Sequence, residues 1–175
     1  MLLDVTRYTE PLSRTPAHLR AVIEGQPDAW LDRRHSAEAV SPRETVAHLI
    51  LCDRLSWLPR AQRILKPEEE VPRDPSADLE EVDLLAVNSV YDLLAEFETL
   101  RSQKIQELTD MGLVAEDLEK QGDHPKFGTY TVGQLLATWV AHDLYHLGQV
   151  FKAYSMPYVE QIGPWQHYLN LPQFN

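Results

Sequence analysis

The sequence predicts an all-α protein, a four-helix bundle with long connections between its helices. Apolar residues recur at helical spacing over four long segments, and capping signals mark where several of these segments begin. Runs in which Val, Ile and Thr alternate with polar residues, as strands require, are scarce. Four helices with one apolar stripe each bury those stripes by packing together. With 175 residues and 43% hydrophobic content, we expect a single domain spanning residues 1–175.

The first two predicted helices are delimited by residues that start or end helices. The first runs from about Pro11 to Gly25, where a glycine and a nearby proline interrupt the apolar pattern. The second begins at Ser41, where Pro42 suits the first helical position and Glu44 completes a capping box. Its apolar pattern continues through the run SPRETVAHLILCDRLSW.

Two irregular stretches separate the second, third and fourth predicted helices. Residues 66–83 contain three prolines and many acidic residues, which predicts a long exposed loop. The third helix extends from about Asp83 to Met111 and stops at Gly112, since glycine commonly follows a helix C-terminus. Between Gly112 and Tyr130 the sequence shows no clear period, and we expect an irregular conformation there.

The fourth helix is predicted to start at Thr131, a capping residue, with Gln134 completing a capping box. Its apolar pattern continues to a break before Pro157. The tail that follows is expected to dock on the bundle through Trp165 and Tyr168. The long connections allow a crossover topology without specifying one.

Charge and cysteine content restrict the class of function and the compartment. With 16 Lys and Arg against 27 Asp and Glu, the net charge is -11, so nucleic acid is not an expected partner. No stretch approaches the roughly 20 apolar residues that span a bilayer, so no membrane association is expected. Cys52 is the only cysteine and cannot form an internal disulfide, and residues 1–12 do not resemble a signal peptide. We therefore expect a cytoplasmic protein.

Three histidines on two apolar helices predict a metal site. His142 and His146 are four residues apart, so their imidazoles lie about 40° apart around the helix axis and face a common point. Zinc centres normally take at least three ligands from the protein. His48 is the best third candidate, because it lies on or beside the apolar stripe of the second helix and bundles build metal sites from facing helices. The predicted ligands are therefore His48, His142 and His146.

Asp143, which lies between His142 and His146, leaves several interpretations of these two histidines open. The run HDLYH has Asp143 where the HExxH motif of metalloproteases has its glutamate base, so a protease is not predicted. Asp143 would either hydrogen-bond a metal-bound imidazole and fix its tautomer, or be an ordinary solvated or ion-paired acid. Asp53 is a comparable candidate for a carboxylate that supports a metal-binding histidine without binding the metal itself. If no ion is bound, Asp143 and backbone carbonyls would provide hydrogen-bond partners for two imidazoles buried in the core.

Other candidate ligands are weaker. Cys52 lies four residues after His48 on nearly the same helix face, so a His–Cys pair is an alternative. A free cysteine, however, is commonly a small core residue. The remaining histidines are expected to be ordinary surface or capping residues: His18, His35, His124 and His167.

Three segments of the sequence resemble the DinB-like, or DinB/YfiT, superfamily of bacterial four-helix bundles. They are TVAHLILCDRLSW, GDHPKFGTYTVGQLLATWVAHDLYHLGQV and IGPWQHYL, and they follow one another in the expected order. The resemblance implies a divalent metal bound by one histidine of the second helix and two of the last long helix. These positions are His48, His142 and His146 in this chain. Some relatives are thiol S-transferases that use a low-molecular-weight thiol such as bacillithiol or mycothiol.

The predicted function is that of a metal-dependent enzyme that acts on a small molecule. Three imidazoles suit a zinc or nickel ion, among others, and leave open positions where water or a thiol can lose its proton. Thiol transfer is the leading hypothesis, and hydrolysis is an alternative because the same centre activates water. The rival hypothesis is a non-catalytic bundle in which the ion only joins two helices. The family resemblance also implies a homodimer.

Overall fold

The computed structural model describes residues 4–37, 39–68, 84–85, 89–124, 126–159 and 161–169. Its long helices are α1 (Thr6–Ile23), α3 (Pro42–Leu55), α5 (Val90–Asp110) and α6 (Val132–Ser155). The shorter ones are α2 (Asp28–Leu31), α4 (Trp57–Leu65) and α7 (Trp165–Leu169). Two strands, β1 (Gln121–His124) and β2 (Gly128–Thr131), and two 3-10 turns, Ala115–Glu119 and Met156–Tyr158, complete these elements. The predicted all-α class is confirmed, and none of the described helices is long and apolar enough to cross a membrane.

Capping boxes start the two helices that carry the predicted metal ligands. At the start of α3 the Ser41 hydroxyl accepts a hydrogen bond from the Glu44 amide at 3.2 Å, and the Glu44 carboxylate accepts one from the Ser41 amide at 2.7 Å. Thr131 and Gln134 make the same pair of bonds at the start of α6, at 3.1 and 2.9 Å. Each box satisfies amide groups that the first helical turn leaves unpaired. Both predicted helix starts are confirmed.

The first helix begins earlier than predicted. α1 starts at Thr6, and Pro11, the predicted start, lies inside it together with Pro16. The Asp4 carboxylate accepts hydrogen bonds from the Thr6 amide at 3.0 Å and from its hydroxyl at 2.6 Å. A side-chain acceptor at this point satisfies a free amide of the first turn, which allows the helix to begin upstream of the proline.

The third long helix begins later than predicted. Ser89 is extended and forms a capping box with Asp92, so α5 starts at Val90 rather than at Asp83. Leu84 is helical and buried, but it precedes this cap and lies outside α5. Most of the predicted exposed loop, residues 69–83, lies outside the described residues.

The stretch predicted to be irregular contains a 3-10 turn and an antiparallel hairpin. β1 pairs with β2 from Gln121 opposite Thr131 to His124 opposite Gly128. Gly128 has a φ of 77°, a left-handed conformation that glycine adopts without strain where the turn enters β2. Strands of four residues are too short to show a recognisable alternation, so the sequence pattern did not reveal this hairpin.

The tail after α6 does not dock through its aromatic side chains, so that prediction is wrong. Trp165 is 68% exposed and Tyr168 is 82% exposed. Both lie on α7, a helix of five residues. A single short turn of helix offers little apolar surface to pack against the bundle, and both rings stay in solvent.

The bundle places the two histidine-bearing helices side by side. α1 and α3 each pack against both α5 and α6, and α4 also packs against α6. Consecutive long helices α1 and α3 therefore lie mainly against later helices rather than against one another. His48 lies on α3, which is consequently a direct neighbour of α6, the helix that carries His142 and His146.

A layer of charged side chains divides the apolar core into two clusters. One cluster joins the C-terminal half of α1 to the N-terminal parts of α3 and α5. The other joins the N-terminal half of α1 to α4, the end of α5 and the first half of α6. Asp53, Arg101 and Asp143 lie between them and are completely or almost completely buried. Because Asp143 lies next to His142 on α6, the histidines belong to this same level of the bundle.

Candidate metal centre

Three imidazoles from two neighbouring helices converge through their Nε2 atoms. His48 lies in the second turn of α3, and His142 and His146 lie one turn apart on α6. The Nε2 atoms of His48 and His142 are 3.3 Å apart, and those of His142 and His146 are 3.1 Å apart. One ligand atom from each of the three residues lies within 4.8 Å of the other two. The structure thus brings together the three side chains that the sequence singled out.

The spacing of these nitrogen atoms suits a single divalent ion. Zinc–nitrogen bonds are about 2.0–2.1 Å long. Two nitrogen atoms bound to one ion at that length are about 3.0 Å apart at a right angle and about 3.4 Å apart at a tetrahedral angle. The observed separations of 3.1 and 3.3 Å fall between these values. The donor atoms and their geometry therefore fit a metal ion.

Burial keeps the two histidines of α6 neutral. It lowers the pKa of His142 from 6.5 to about 4, and the nearby charges of His48 and Arg101 act in the same direction. Burial also lowers the pKa of His146 from 6.5 to about 4, with smaller contributions from His142 and His48. A metal binds the lone pair of a neutral imidazole. At neutral pH these two side chains are therefore in the protonation state that a ligand needs.

The Asp143 carboxylate pairs with an arginine of α5. Its Oδ2 accepts a hydrogen bond from Arg101 Nη1, and its Oδ1 accepts one from Arg101 Nη2 at 3.2 Å. Within the described part of the chain, the buried Nδ1 atoms of His142 and His146 have no hydrogen-bond partner. The structure therefore favours the ion-paired interpretation of Asp143 over the one in which it fixes an imidazole tautomer.

Arg101 joins all four long helices at the level of the histidines. Its Nε and Nη2 donate to the Asp53 carboxylate of α3 at 2.7 and 3.0 Å, and its Nη1 donates to the Leu12 carbonyl of α1 at 3.1 Å. Trp139 of α6 also donates to Asp53, at 3.1 Å. Burial raises the pKa of Asp53 to about 6, and the Arg101 charge opposes that rise. Asp53, like Asp143, is bound to Arg101 and is not a member of the histidine cluster.

Sequence reasoning missed Arg101, although α5 contains a signal for it. Arg101 continues the buried stripe formed by Leu94, Phe97 and Leu108 at helical spacing. A charged side chain on such a stripe is costly to bury unless carboxylates from other helices pair with it. The position thus predicts buried acidic partners, but the sequence does not say which acids they are.

Cys52 lies beside the cluster rather than within it. Its Sγ is 3.5 Å from Nε2 of His48. Among the described residues, the donor atoms that lie within 4.8 Å of one another come from the three histidines and do not include this sulfur. Cys52 is therefore close to one predicted ligand without completing a four-ligand shell.

The other histidines lie apart from this cluster. His124 Nδ1 accepts hydrogen bonds from the amides of Lys126 and Phe127 at 3.0 and 3.3 Å, within the turn of the hairpin. His18 and His167 are exposed, and His35 is half-buried.

A cleft of about 420 Å³ leads to one of the three histidines. His142 forms part of its wall together with Trp57, whose ring meets the imidazole edge-on with centroids 5.1 Å apart. The hairpin contributes Phe127 and Tyr130 to the same cleft. A small molecule can therefore approach the cluster from the side of the hairpin.

The family model of the DinB superfamily matches residues 12–150, a range that includes all three histidines and the hairpin. The chain belongs to the DinB superfamily. The resemblance drawn from the sequence motifs is thereby confirmed. A search of curated proteins found no match to this DinB-superfamily chain.

Solved structures similar to this DinB-superfamily chain share its fold. YfiT from Bacillus subtilis, described as a probable metal-dependent hydrolase with an unusual four-helix bundle topology, matches with a TM-score of 0.66 and 17% sequence identity. The match covers 95% of this chain and 87% of YfiT. An uncharacterised protein from Clostridium difficile 630 matches with a TM-score of 0.54 and 16% identity, over 87% of this chain and 96% of that protein. At these identities the likeness establishes the fold, and the predicted four-helix bundle is confirmed.

Proposed function

We propose that this DinB-superfamily protein is a metal-dependent enzyme that acts on a small molecule. In this proposal His48, His142 and His146 bind a divalent ion, zinc or nickel, through their Nε2 atoms. The convergence of the three nitrogen atoms, at separations of 3.1 and 3.3 Å, is the observation that carries the proposal. Three imidazoles leave open coordination positions, as catalytic sites do and closed structural sites do not.

Residues of the cleft would hold a substrate beside that centre. Trp57, Tyr130 and Leu135 give the cleft apolar walls that exclude water around a bound molecule. His142 is the ligand that faces the cleft, so it fixes where the reacting atom of a substrate must lie. A bound divalent ion would polarise a carbonyl group or lower the pKa of water or a thiol toward neutrality.

Transfer to a low-molecular-weight thiol, such as bacillithiol or mycothiol, is the first reaction that we propose. The thiol gives its proton to water, its sulfur bonds to an electrophilic carbon of the substrate, and the leaving group departs with the electron pair of the bond that joined it to that carbon. Hydrolysis is the second candidate, because YfiT is described as a probable metal-dependent hydrolase. The two reactions differ in their nucleophile, so an assay with and without thiol separates them.

A non-catalytic role is the rival proposal. The ion would then only join α3 and α6, and N–H···N hydrogen bonds between imidazoles at the same separations would serve the same purpose. A structural ion would also require a fourth protein ligand, for which Cys52 is the nearest candidate. Cys52 lies outside the set of mutually close donor atoms, whereas His142 opens onto the cleft. These two observations favour the catalytic role.

The enzymatic proposal is tested with zinc-loaded and nickel-loaded protein. 1-Chloro-2,4-dinitrobenzene reports transfer when bacillithiol, mycothiol or cysteine is added, and p-nitrophenyl acetate reports hydrolysis without a thiol. We expect one reaction to require the metal and to fall roughly 100-fold or more in His142→Ala. His18→Ala, which changes an exposed histidine, should keep the wild-type rate. Equal rates for metal-loaded wild type and His142→Ala in both assays would contradict the proposal.

We further propose that the protein is a cytoplasmic homodimer of single-domain chains. Leu144 and Phe151, seven residues apart on one face of α6, are 57% and 54% exposed. A second copy related by twofold symmetry would bury this face. Light scattering should give twice the chain mass of 20.1 kDa, and Phe151→Glu should halve it. A wild-type monomer at all concentrations would exclude the dimer.

A further inference from the structure

Most arginines in the bundle are paired with carboxylates, as expected in a chain with a net charge of -11. Such ion pairs involve Arg14, Arg20, Arg34, Arg43, Arg54 and Arg101. Arg60 of α4 differs from these. It is half-buried, and within the described chain its guanidinium has no ion pair and no hydrogen-bond acceptor. A guanidinium that is partly withdrawn from water without a partner is prepared to bind an anion.

Arg60 lines the cleft that reaches His142. None of the described residues lining this cleft is an aspartate or a glutamate, so no carboxylate of the wall competes for the guanidinium. Arg60 also lines a neighbouring cleft of about 500 Å³, where Arg63 adds a second positive charge but Asp123 adds a negative one. The positive charge is therefore least compensated in the cleft beside the histidine cluster.

The hairpin supplies a second hydrogen-bond donor to the same cleft. His124 Nδ1 accepts the amide hydrogens of Lys126 and Phe127 at 3.0 and 3.3 Å. The proton of the neutral ring therefore lies on Nε2, which can donate to an oxygen atom. His124 and Arg60 line both clefts and so mark the boundary between them.

The rest of the cleft wall is apolar and therefore favours a ligand whose main part is apolar. Trp57, Tyr130 and Leu135 present aromatic and aliphatic surface. Phe127 lies at the hairpin turn with 75% of its surface exposed, and a molecule in the cleft would cover part of that ring. Flat apolar molecules gain the most contact with walls of this kind.

We infer that the substrate is a carboxylate with a flat apolar body, that Arg60 binds its carboxylate, and that its other end reaches His142. The inference rests on the proposed function, which supplies the reacting centre at His142. A monoanion matches the single charge of Arg60, whereas a dianion would bring excess negative charge into an already acidic protein. Arg60 is a substrate-binding residue that sets specificity.

The test compares two ligands of the same shape that differ in charge, 2-naphthoate and 2-naphthamide. Calorimetric titrations use protein treated with EDTA, so that a carboxylate cannot bind through a metal. We expect wild type to bind 2-naphthoate at least about tenfold more tightly than 2-naphthamide, because hydrogen bonds between charged groups exceed neutral ones. Arg60→Gln should abolish the preference, and Arg60→Lys should keep part of it because the charge remains. Arg33→Gln, which alters an exposed arginine outside both clefts, should keep the full preference.

The outcomes separate this inference from the proposed function. Equal binding of the two ligands by wild type, binding of neither, or an unchanged preference in Arg60→Gln would overturn the carboxylate site. Metal content is measured on the same preparations before EDTA is added. A preference that disappears in Arg60→Gln supports the carboxylate site even if no metal is found, in which case only the proposed function fails.

Discussion

Replacing Arg101 by methionine should destabilise the bundle more than any exposed ion-pair substitution. Arg101 is fully buried and binds both oxygens of Asp53 and both oxygens of Asp143. Methionine fills a similar volume but leaves two buried carboxylates without a counter-ion. The loss is therefore electrostatic rather than a cavity effect.

The expected loss follows from this burial. Removing one partner of a buried ion pair costs about 3–5 kcal/mol, a large share of the roughly 5–15 kcal/mol that stabilises a typical domain. For a chain of this size each 1 kcal/mol lowers the melting temperature by about 2–4 °C, so a decrease of roughly 6–20 °C is expected. Without the Arg101 charge, which lowers the pKa of Asp53, the folded variant takes up a proton more readily. The stability that Arg101→Met loses relative to wild type should therefore become smaller as the pH falls from about 8 to 5, since a carboxyl whose pKa is raised in the folded state adds stability at low pH.

The assay is urea denaturation followed by circular dichroism at these two pH values. Arg20→Met is the matched control, because Arg20 also links α1 to α5 but pairs with Glu98 at 2.8 Å across a surface where the two side chains are 33% and 62% exposed. Exposed pairs of this kind contribute about 1 kcal/mol or less. If Arg101→Met does not fold, Asp53→Asn provides a milder change at the same layer. Equal losses for Arg101→Met and Arg20→Met, with no pH dependence, would refute this reasoning.

Three further predictions concern the site and the elements that hold it. Metal-free protein should lose stability as the pH falls below about 6.5, because burial holds the pKa of His142 and His146 at about 4 in the folded state while unfolded imidazoles take up protons. Urea titrations at several pH values should show that the double variant His142→Gln/His146→Gln loses less unfolding free energy than wild type as the pH falls. If the unfolding free energy of the double variant depends on pH as steeply as that of wild type, the burial argument is contradicted. Gly122→Ala should cost about 1–3 kcal/mol, since its Cβ would lie 2.6 Å from Ile64 Cγ1. Adding Ile64→Ala should make the double variant more stable than the two single losses imply, and strict additivity would count against the clash. Thr131→Ala should lower the stability of α6 by about 1 kcal/mol through loss of its cap, and an unchanged urea midpoint would show that the capping box is dispensable.

The parts of the fold that could be predicted from sequence depend on short-range chemistry. The capping boxes at Ser41 and Thr131 involve residues three positions apart, so the sequence alone specifies the starts of α3 and α6. The same box at Ser89 explains why α5 starts seven residues after the predicted position. Helical spacing likewise placed His142 and His146 on one face.

The parts that could not be predicted depend on contacts between distant segments. Asp53 and Asp143 are 48 and 42 residues away from Arg101, and only the packing of the helices brings them together. The cleft is also a tertiary feature, since the hairpin that carries Phe127 must fold against α4 and α6. His48 could be selected in advance because it combined an inward helical position with the family motif.

Metal stoichiometry tests the central claim most directly. Purified protein is loaded with zinc or nickel and dialysed, and bound metal per chain is measured by mass spectrometry for wild type and for alanine variants of His48, His142 and His146. Wild type should bind one ion per chain, each of the three variants should lose it, and His18→Ala should retain it, because among the residues that the structure describes the nitrogen atoms of these three histidines are the ones clustered closely enough to bind one ion. Wild-type protein that holds no metal, or cluster variants that hold as much as wild type, would contradict the account.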